Sequence, residues 1–148
     1  MTLVADTSGL LASIDRNEPA HAGVAEVLRA EKGDVLVSDL VIAELDYLIL
    51  RHLGRVAEEA FLEDLLAGVY RREPLTDADM ARGLALVRRY RDHDIGITDA
   101  TLLAVAERHD CDRILTLDHQ HFRTLRFRDR SRLTLLPADA RSKKVPRA

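Results

Sequence analysis

The chain has 148 residues and a formal net charge of −3, so it has the size of one domain and lacks the strong positive charge of many nucleic-acid-binding proteins. Its 47% apolar and 32% charged content is ordinary for a globular protein, and its apolar runs fall short of the roughly 20 residues of a membrane span. A single cysteine, Cys111, excludes an internal disulfide. The first residues contain an acid and no basic segment, so they do not resemble a signal peptide. We expect a cytoplasmic protein that makes no membrane contact.

Strands and helices alternate along the chain. Short apolar runs bounded by turn residues predict strands at Leu3–Ala5, Val35–Val37, Val69–Leu75 (a weaker edge strand), Ile114–Leu117 and Leu133–Leu136. Apolar residues at helical spacing predict helices after Asp6, between Pro19 and Gly33, after Ser38, over Arg55–Ala67, from Thr76, from Thr98 and around Phe122. This order predicts an α/β fold, a single three-layer α/β/α domain with a mostly parallel central sheet of four to five strands. The domain is expected to span residues 1–137, followed by a basic, flexible tail over residues 138–148.

Charge is distributed unevenly. From His119 to the C-terminus there are nine Lys and Arg against two Asp and Glu, a local balance of +7. Residues 1–118 then carry 13 of the 22 basic and 23 of the 25 acidic residues, a balance of −10. An acidic body beside a basic C-terminal segment suits a protein that holds cations next to a surface that holds phosphates.

Four acids occupy positions where the ends of different elements meet. Asp6 and Asp118 follow predicted strands, Asp99 lies at the start of a helix, and Glu44 lies early in the helix after the second strand. In a parallel sheet, the carboxyl ends of the strands form the ligand crevice at the point where strand order reverses. The sequence therefore predicts that these four carboxylates share one crevice.

Glu44 is unusual within its helix. It follows Val41 by three residues and precedes Leu48 by four, which predicts that it lies on the apolar side of the helix. A carboxylate in that position is costly unless a partner compensates it.

The mutual repulsion of four carboxylates in one crevice must be offset. Two like charges 4 Å apart repel by roughly 4 kcal/mol at an effective dielectric constant near 20. Four carboxylates in one cleft must therefore bind a cation or take up protons. Oxygen ligands of this kind suit Mg²⁺ or Mn²⁺, and a metal-activated water can hydrolyse a phosphodiester. Taken singly, each acid also has an ordinary explanation, as a helix cap, a first-turn acid, a turn residue or a partner of an arginine.

Four segments carry a resemblance to a known family. They are ADTSGLL near the start, SDLVIAELDYL in the middle, and then GITDATLLAVA and ILTLDHQHF. Together they resemble the acidic motifs of PIN-domain ribonucleases, and most of all the toxin component of VapBC-type toxin–antitoxin pairs. The resemblance extends from Leu3 to about Pro137 and implies a PIN-like fold.

The resemblance also implies roles for individual residues. Asp6, Glu44, Asp99 and Asp118 would form the acidic quartet that binds Mg²⁺ or Mn²⁺, with Asp6 and Asp99 as direct ligands. Supporting hydrogen bonds would come from Thr7, Ser8 and Thr116. The implied substrate is RNA of the tRNA or ribosomal RNA class, and the implied partners are a second copy of the chain and a cognate VapB-type antitoxin.

Other polar residues around the last motif have less defined roles. Arg123, Arg126 and Arg128 either contact RNA phosphates or form a solvated face. His119 and His121 follow Asp118 at a mutual spacing of two residues, which is poor for a structural zinc site, and a contact with RNA phosphate is open to them. Asp94 is an additional acid without an assigned role.

The functional hypothesis is a metal-dependent endoribonuclease toxin that a cognate antitoxin neutralises. The alternative is a non-catalytic module whose acidic pocket binds a basic partner peptide. Metal-dependent RNA cleavage distinguishes the two.

Overall fold

The computed structural model describes residues 2–140. Five short strands form a parallel sheet, and two further strands form a small antiparallel hairpin. The sheet strands are β1 (Leu3–Ala5), β2 (Val35–Ser38), β3 (Arg71–Glu73), β4 (Arg113–Leu115) and β7 (Thr134–Leu136), and the hairpin strands are β5 (Arg126–Phe127) and β6 (Ser131–Arg132). The order in the sheet is β3-β2-β1-β4-β7. The predicted α/β fold is confirmed, and β3 is the edge strand that its charged residues suggested.

Seven α-helices and one turn of 3₁₀ helix (Arg91–His93) connect the strands of the described chain. The α-helices are α1 (Thr7–Ile14), α2 (His21–Ala30), α3 (Asp39–His52), α4 (Arg55–Leu66), α5 (Asp77–Arg89), α6 (Ile97–Arg108) and α7 (His119–Thr124). Side chains cap two of them as the sequence predicts. Ser38 accepts the Val41 N–H at the start of α3, and Thr76 forms a capping box with Asp79 at the start of α5.

The strand order determines where the helices lie and where a crevice opens. The chain moves from β1 through β2 to β3 in one direction, then returns to β4 on the other side of β1. Right-handed crossovers therefore place α1–α4 on one face of the sheet and α5–α7 on the other. The direction reverses between β1 and β4, so the crevice is expected at the carboxyl ends of these two strands.

The central strands are apolar and fully enclosed. Leu3, Leu36, Ile114 and Leu115 have no exposed surface, as expected for parallel strands covered by helices on both faces. Within the described residues, no helix combines the length and apolarity that crossing a membrane requires.

Gly9 allows α1 to pack directly against β4. A Cβ atom at this position would lie 2.5 Å from the carbonyl oxygen of Leu115, which is too close for any side chain. We expect Gly9→Ala to lower the free energy of unfolding by about 1–3 kcal/mol, because the rigid backbone of β4 must move. Urea denaturation measures this change. Gly23→Ala in α2 is the matched control, since its new methyl group meets only Pro137 at an ordinary 3.6 Å; an equal loss in both variants would contradict the packing argument.

An ion-pair network joins the edge strand to α5 and α6. Arg108 at the end of α6 donates to Glu73 at 2.6 Å and to both carboxylate oxygens of Asp79, at 3.1 and 2.9 Å. Burial is the largest single effect and would raise the pKa of both acids, but the hydrogen bonds and charges of their partners, Arg108 foremost, together outweigh it and hold each pKa below its usual value. The network therefore ties together β3, α5 and α6, the first elements of the crossover from β3 to β4.

Removing Arg108 should take the main cationic partner from two buried carboxylates, leaving Glu73 with His109 and Arg71. We expect Arg108→Ala to cost about 1–3 kcal/mol of unfolding free energy at pH 7, less than for a fully buried pair because Arg108 is partly exposed. Because the pKa values of Glu73 and Asp79 are depressed in the folded state, their stabilisation is present above the unfolded-state values near 4 and disappears as the pH falls further. The difference between wild type and variant should therefore shrink toward pH 3 in thermal unfolding. Arg88→Ala, an exposed arginine of α5, is the control, and an undiminished difference at pH 3 would contradict this explanation.

Several predicted boundaries were wrong. The fourth strand covers Arg113–Leu115 rather than Ile114–Leu117, so two residues separate it from Asp118. Helix α6 begins at Ile97 with Gly96 at its N-cap, not at Thr98. The β5–β6 hairpin was not predicted, because its strands are two residues long and interrupted by arginines. Most of the predicted tail, residues 141–148, lies outside the described residues. In the described part of the tail, Asp139 pairs with Arg123.

Candidate active site

A cleft of about 490 Å³ opens at the carboxyl ends of β1 and β4, where the strand order reverses. All four acids that the sequence singles out line it. Its lining residues are Asp6, Thr7, Ser8, Glu44, Gly96, Ile97, Thr98, Asp99, Asp118 and His121. Acids from four segments of the chain therefore meet in one place.

Asp6 lies at the floor of the cleft and is 5% exposed. It occupies the N-cap position of α1, but its side chain does not cap that helix. Its Oδ2 atom instead accepts hydrogen bonds from Ser8 Oγ at 2.9 Å and from Thr116 Oγ1 at 2.8 Å. Burial raises the pKa of Asp6, these two hydrogen bonds oppose that effect, and the Asp118 charge adds to it.

The hydroxyl groups around Asp6 also connect the two strand ends. Ser8 Oγ accepts the Leu117 N–H at 3.0 Å, and Thr116 Oγ1 accepts the Asp118 N–H at 3.0 Å. The loop after β4 is therefore fastened to the start of α1. Thr7 behaves differently, because its buried Oγ1 has no hydrogen-bond partner among the described residues.

Asp99 lies in the first turn of α6 and faces the other acids. Its pKa is raised from the ordinary 3.8 to about 7, and burial is the largest cause. The charges of Asp6, Asp118 and Glu44 raise it further, whereas His121 lowers it. The charges of three carboxylates thus oppose ionisation of Asp99, in line with the repulsion expected from the sequence.

Glu44 contradicts the prediction that it lies on the apolar side of α3. The helix buries Val41, Leu45 and Ile49, and Glu44 is exposed beside this stripe. The prediction failed because α3 buries only one residue at each turn, and Glu44 lies beside that row of buried residues. From that flank the exposed Glu44 side chain still lines the cleft.

Asp118 is held by the first turn of α7. Its Oδ1 accepts the backbone N–H of His121 at 3.1 Å, so it is both a helix cap and a residue of the cleft. Its Oδ2 lies 2.8 Å from His121 Nδ1, which is also 3.3 Å from Asp99 Oδ2. His121 was not among the predicted site residues, although its position three residues after Asp118 in a short helix indicated the contact.

The cleft fits a divalent metal ion. Carboxylate oxygens are the ligands that Mg²⁺ and Mn²⁺ prefer. Ligand atoms of Asp99, Asp118 and His121 all lie within 4.8 Å of one another. The unpaired hydroxyl of Thr7 adds a buried polar atom at the same cleft.

The three arginines expected to contact RNA do not line the cleft. Arg123 forms a two-pronged pair with Asp139 at 2.6 and 2.7 Å. Arg126 donates to three backbone carbonyl groups at the C-terminal end of α7, and Arg128 pairs with Asp110 at 2.9 Å. In this conformation all three guanidinium groups are used within the chain.

Comparisons with known proteins agree with this geometry. A model of the PIN domain family matches residues 3–128. Ribonuclease VapC26 of Mycobacterium tuberculosis is 38% identical over 135 residues, which make up 91% of this chain and 100% of that protein.

Solved structures share the fold. VapC20 of M. tuberculosis, described as a Sarcin-Ricin loop cleaving toxin, matches with a TM-score of 0.73 and 22% identity over 78% of this chain and 89% of its own. FitAcB from Neisseria gonorrhoeae matches with a TM-score of 0.63 and 20% identity, over 81% of this chain and 90% of that one. VapBC2 from Rickettsia felis, bound to a DNA fragment from its promoter, matches with a TM-score of 0.65 and 17% identity, over 91% of this chain and 97% of that one. The family match and the 38% identical relative together show that this chain belongs to the PIN domain family, as a protein of the VapC type.

Proposed function

We propose that the chain is an endoribonuclease toxin that hydrolyses RNA phosphodiester bonds with the help of Mg²⁺ or Mn²⁺. The observation that carries the proposal is the convergence of Asp6, Glu44, Asp99 and Asp118 from four segments on one cleft. Its relatives of the VapC type support the reaction class, since VapC26 is named a ribonuclease.

The proposed role of each carboxylate follows from its burial and its hydrogen bonds. Asp6 and Asp99, the more enclosed pair, are the proposed direct metal ligands, and Ser8 and Thr116 hold Asp6 in one orientation. Asp118, which the start of α7 orients, is a further proposed metal ligand. Glu44, at the exposed rim, is suited to orient the attacking water. When bound, the divalent ion would supply charge neutralisation and a more acidic water.

The proposed substrate is RNA of the tRNA or ribosomal RNA class. VapC20 is described as cleaving the Sarcin-Ricin loop, which supports a structured RNA with an accessible loop. Arg123, Arg126 and Arg128 remain proposed phosphate contacts, and each must exchange an intramolecular bond for an RNA contact.

The proposed partners are a cognate antitoxin and a second copy of the chain, acting in the cytoplasm. The VapBC2 match supports the antitoxin. Exposed apolar side chains suit protein–protein contacts. They form two patches, one with Met80, Leu84 and Ile97, the other with Leu62 and Leu66 beside the half-buried Ile42.

A cleavage assay tests the proposal. The purified chain with Mn²⁺ should cut a structured RNA into discrete fragments, and EDTA should stop the reaction, because the acids need a cation to approach phosphate. The Asp99→Asn protein, purified identically, controls for contaminating nucleases. Binding of a basic peptide without any RNA cleavage would instead support the non-catalytic alternative.

A further inference from the structure

His121 adds a nitrogen atom to a cleft whose other charged groups are carboxylates. Its Nδ1 lies 2.8 Å from Asp118 Oδ2 and 3.3 Å from Asp99 Oδ2. Neutral imidazole can carry its proton on Nε2, which leaves the Nδ1 lone pair free to bind a metal ion. The ring therefore faces the carboxylates with an atom that either donates a hydrogen bond or ligates a metal.

The backbone around His121 is held firmly in place. Its N–H donates to Asp118 Oδ1, which fixes the first turn of α7. The next residue, Phe122, is 1% exposed and anchors the helix in the core. The backbone that carries the imidazole is thus fixed by the fold.

The spacing of these atoms matches adjacent ligands of one ion. Two ligands at right angles, each about 2.1 Å from a metal, lie about 3.0 Å apart. His121 Nδ1 lies 2.8 Å from Asp118 Oδ2 and 3.3 Å from Asp99 Oδ2, one distance just below this value and one just above it. Thr7 also lines the cleft, and its buried hydroxyl has no hydrogen-bond partner among the described residues.

We propose, on the basis of the metal-dependent function above, that His121 Nδ1 is a direct metal ligand together with Asp99 and Asp118. Mg²⁺ prefers oxygen ligands and retains several waters, whereas first-row transition ions also accept imidazole. The mixed nitrogen and oxygen set makes the cleft select Mn²⁺ over Mg²⁺. An all-carboxylate site would not discriminate in this way.

Electron paramagnetic resonance with Mn²⁺ as the probe tests the ligand directly and needs no RNA. The wild-type chain with bound Mn²⁺ should show nitrogen hyperfine coupling in its spin-echo modulation, and labelling with ¹⁵N-histidine should change that pattern. His121→Gln should lose the coupling. His119→Gln, at the exposed neighbouring histidine, should retain it.

Calorimetric titration of the same proteins tests selectivity. His121→Gln should weaken Mn²⁺ binding by about 10-fold or more and change Mg²⁺ binding much less. Circular dichroism checks that the variant is folded; if it is not, the nitrogen coupling of the wild type and its response to ¹⁵N-histidine decide the question.

The outcomes separate this proposal from the nuclease function. Mn²⁺ binding without nitrogen coupling in the wild type would overturn the role of His121 and leave the nuclease proposal standing. An equal loss of Mn²⁺ and Mg²⁺ affinity in His121→Gln would also overturn it, because the residue would then act through Asp118. If the wild type binds neither ion, both proposals fail.

Discussion

Asp99→Asn is expected to reduce RNA cleavage by at least about 100-fold while leaving the fold intact. Loss of residues that merely support a metal ligand typically costs 10–100-fold in affinity or activity, so loss of a direct ligand should reach the upper end of that range. The measurement is the initial cleavage rate with Mn²⁺ at saturating protein. Asp92→Asn, an exposed acid of the neighbouring 3₁₀ helix, is the matched control. Wild-type activity in Asp99→Asn would remove this residue from the site.

The same substitution should stabilise the metal-free protein. The pKa of Asp99 is raised to about 7, against an ordinary value of 3.8, so the folded state holds this proton more tightly than the unfolded state does. The ionised side chain therefore costs stability progressively as the pH rises from about 4 to about 7. In EDTA, Asp99→Asn should melt at a higher temperature than wild type at pH 8, and the difference should nearly vanish at pH 4. A lower melting temperature at pH 8 would contradict the proposed repulsion.

Adding Mn²⁺ to the wild type should raise its melting temperature. An ion that binds only the folded state contributes about 2.7 kcal/mol at 100 times its dissociation constant. For a chain of this length, that corresponds to roughly 5–11 °C. Differential scanning calorimetry with and without EDTA measures the shift. The shift should be larger at pH 8 than at pH 5, since protons compete with the metal for the carboxylates.

Asp6→Asn provides the comparison for this metal effect. It removes a proposed ligand, so most of the Mn²⁺-dependent shift should disappear, whereas Asp92→Asn should keep it. A shift of the same size in Asp6→Asn would show that the ion binds elsewhere on the protein.

Much of the fold was predictable because its signals are local. The apolar runs at Leu3–Ala5 and Val35–Val37 appear as strands, and the capping residues Ser38 and Thr76 begin their helices. The β5–β6 hairpin escaped prediction because it depends on tertiary contacts. Arg82 of α5 pairs with Asp129 in the hairpin turn at 3.0 Å, a contact between residues 47 apart in the chain.

The sequence by itself determined the alternation of strands and helices, and with it the convergence of acids at the carboxyl ends of β1 and β4. This follows from chain topology, since parallel strands place their carboxyl ends on one edge. How each acid is held depends on packing between segments that are far apart in the chain. Glu44 lies exposed at the rim, Asp6 is buried under two hydroxyl groups, and His121 joins Asp99 and Asp118. Burial and hydrogen bonding depend on neighbours from remote segments, and helical periodicity does not report them.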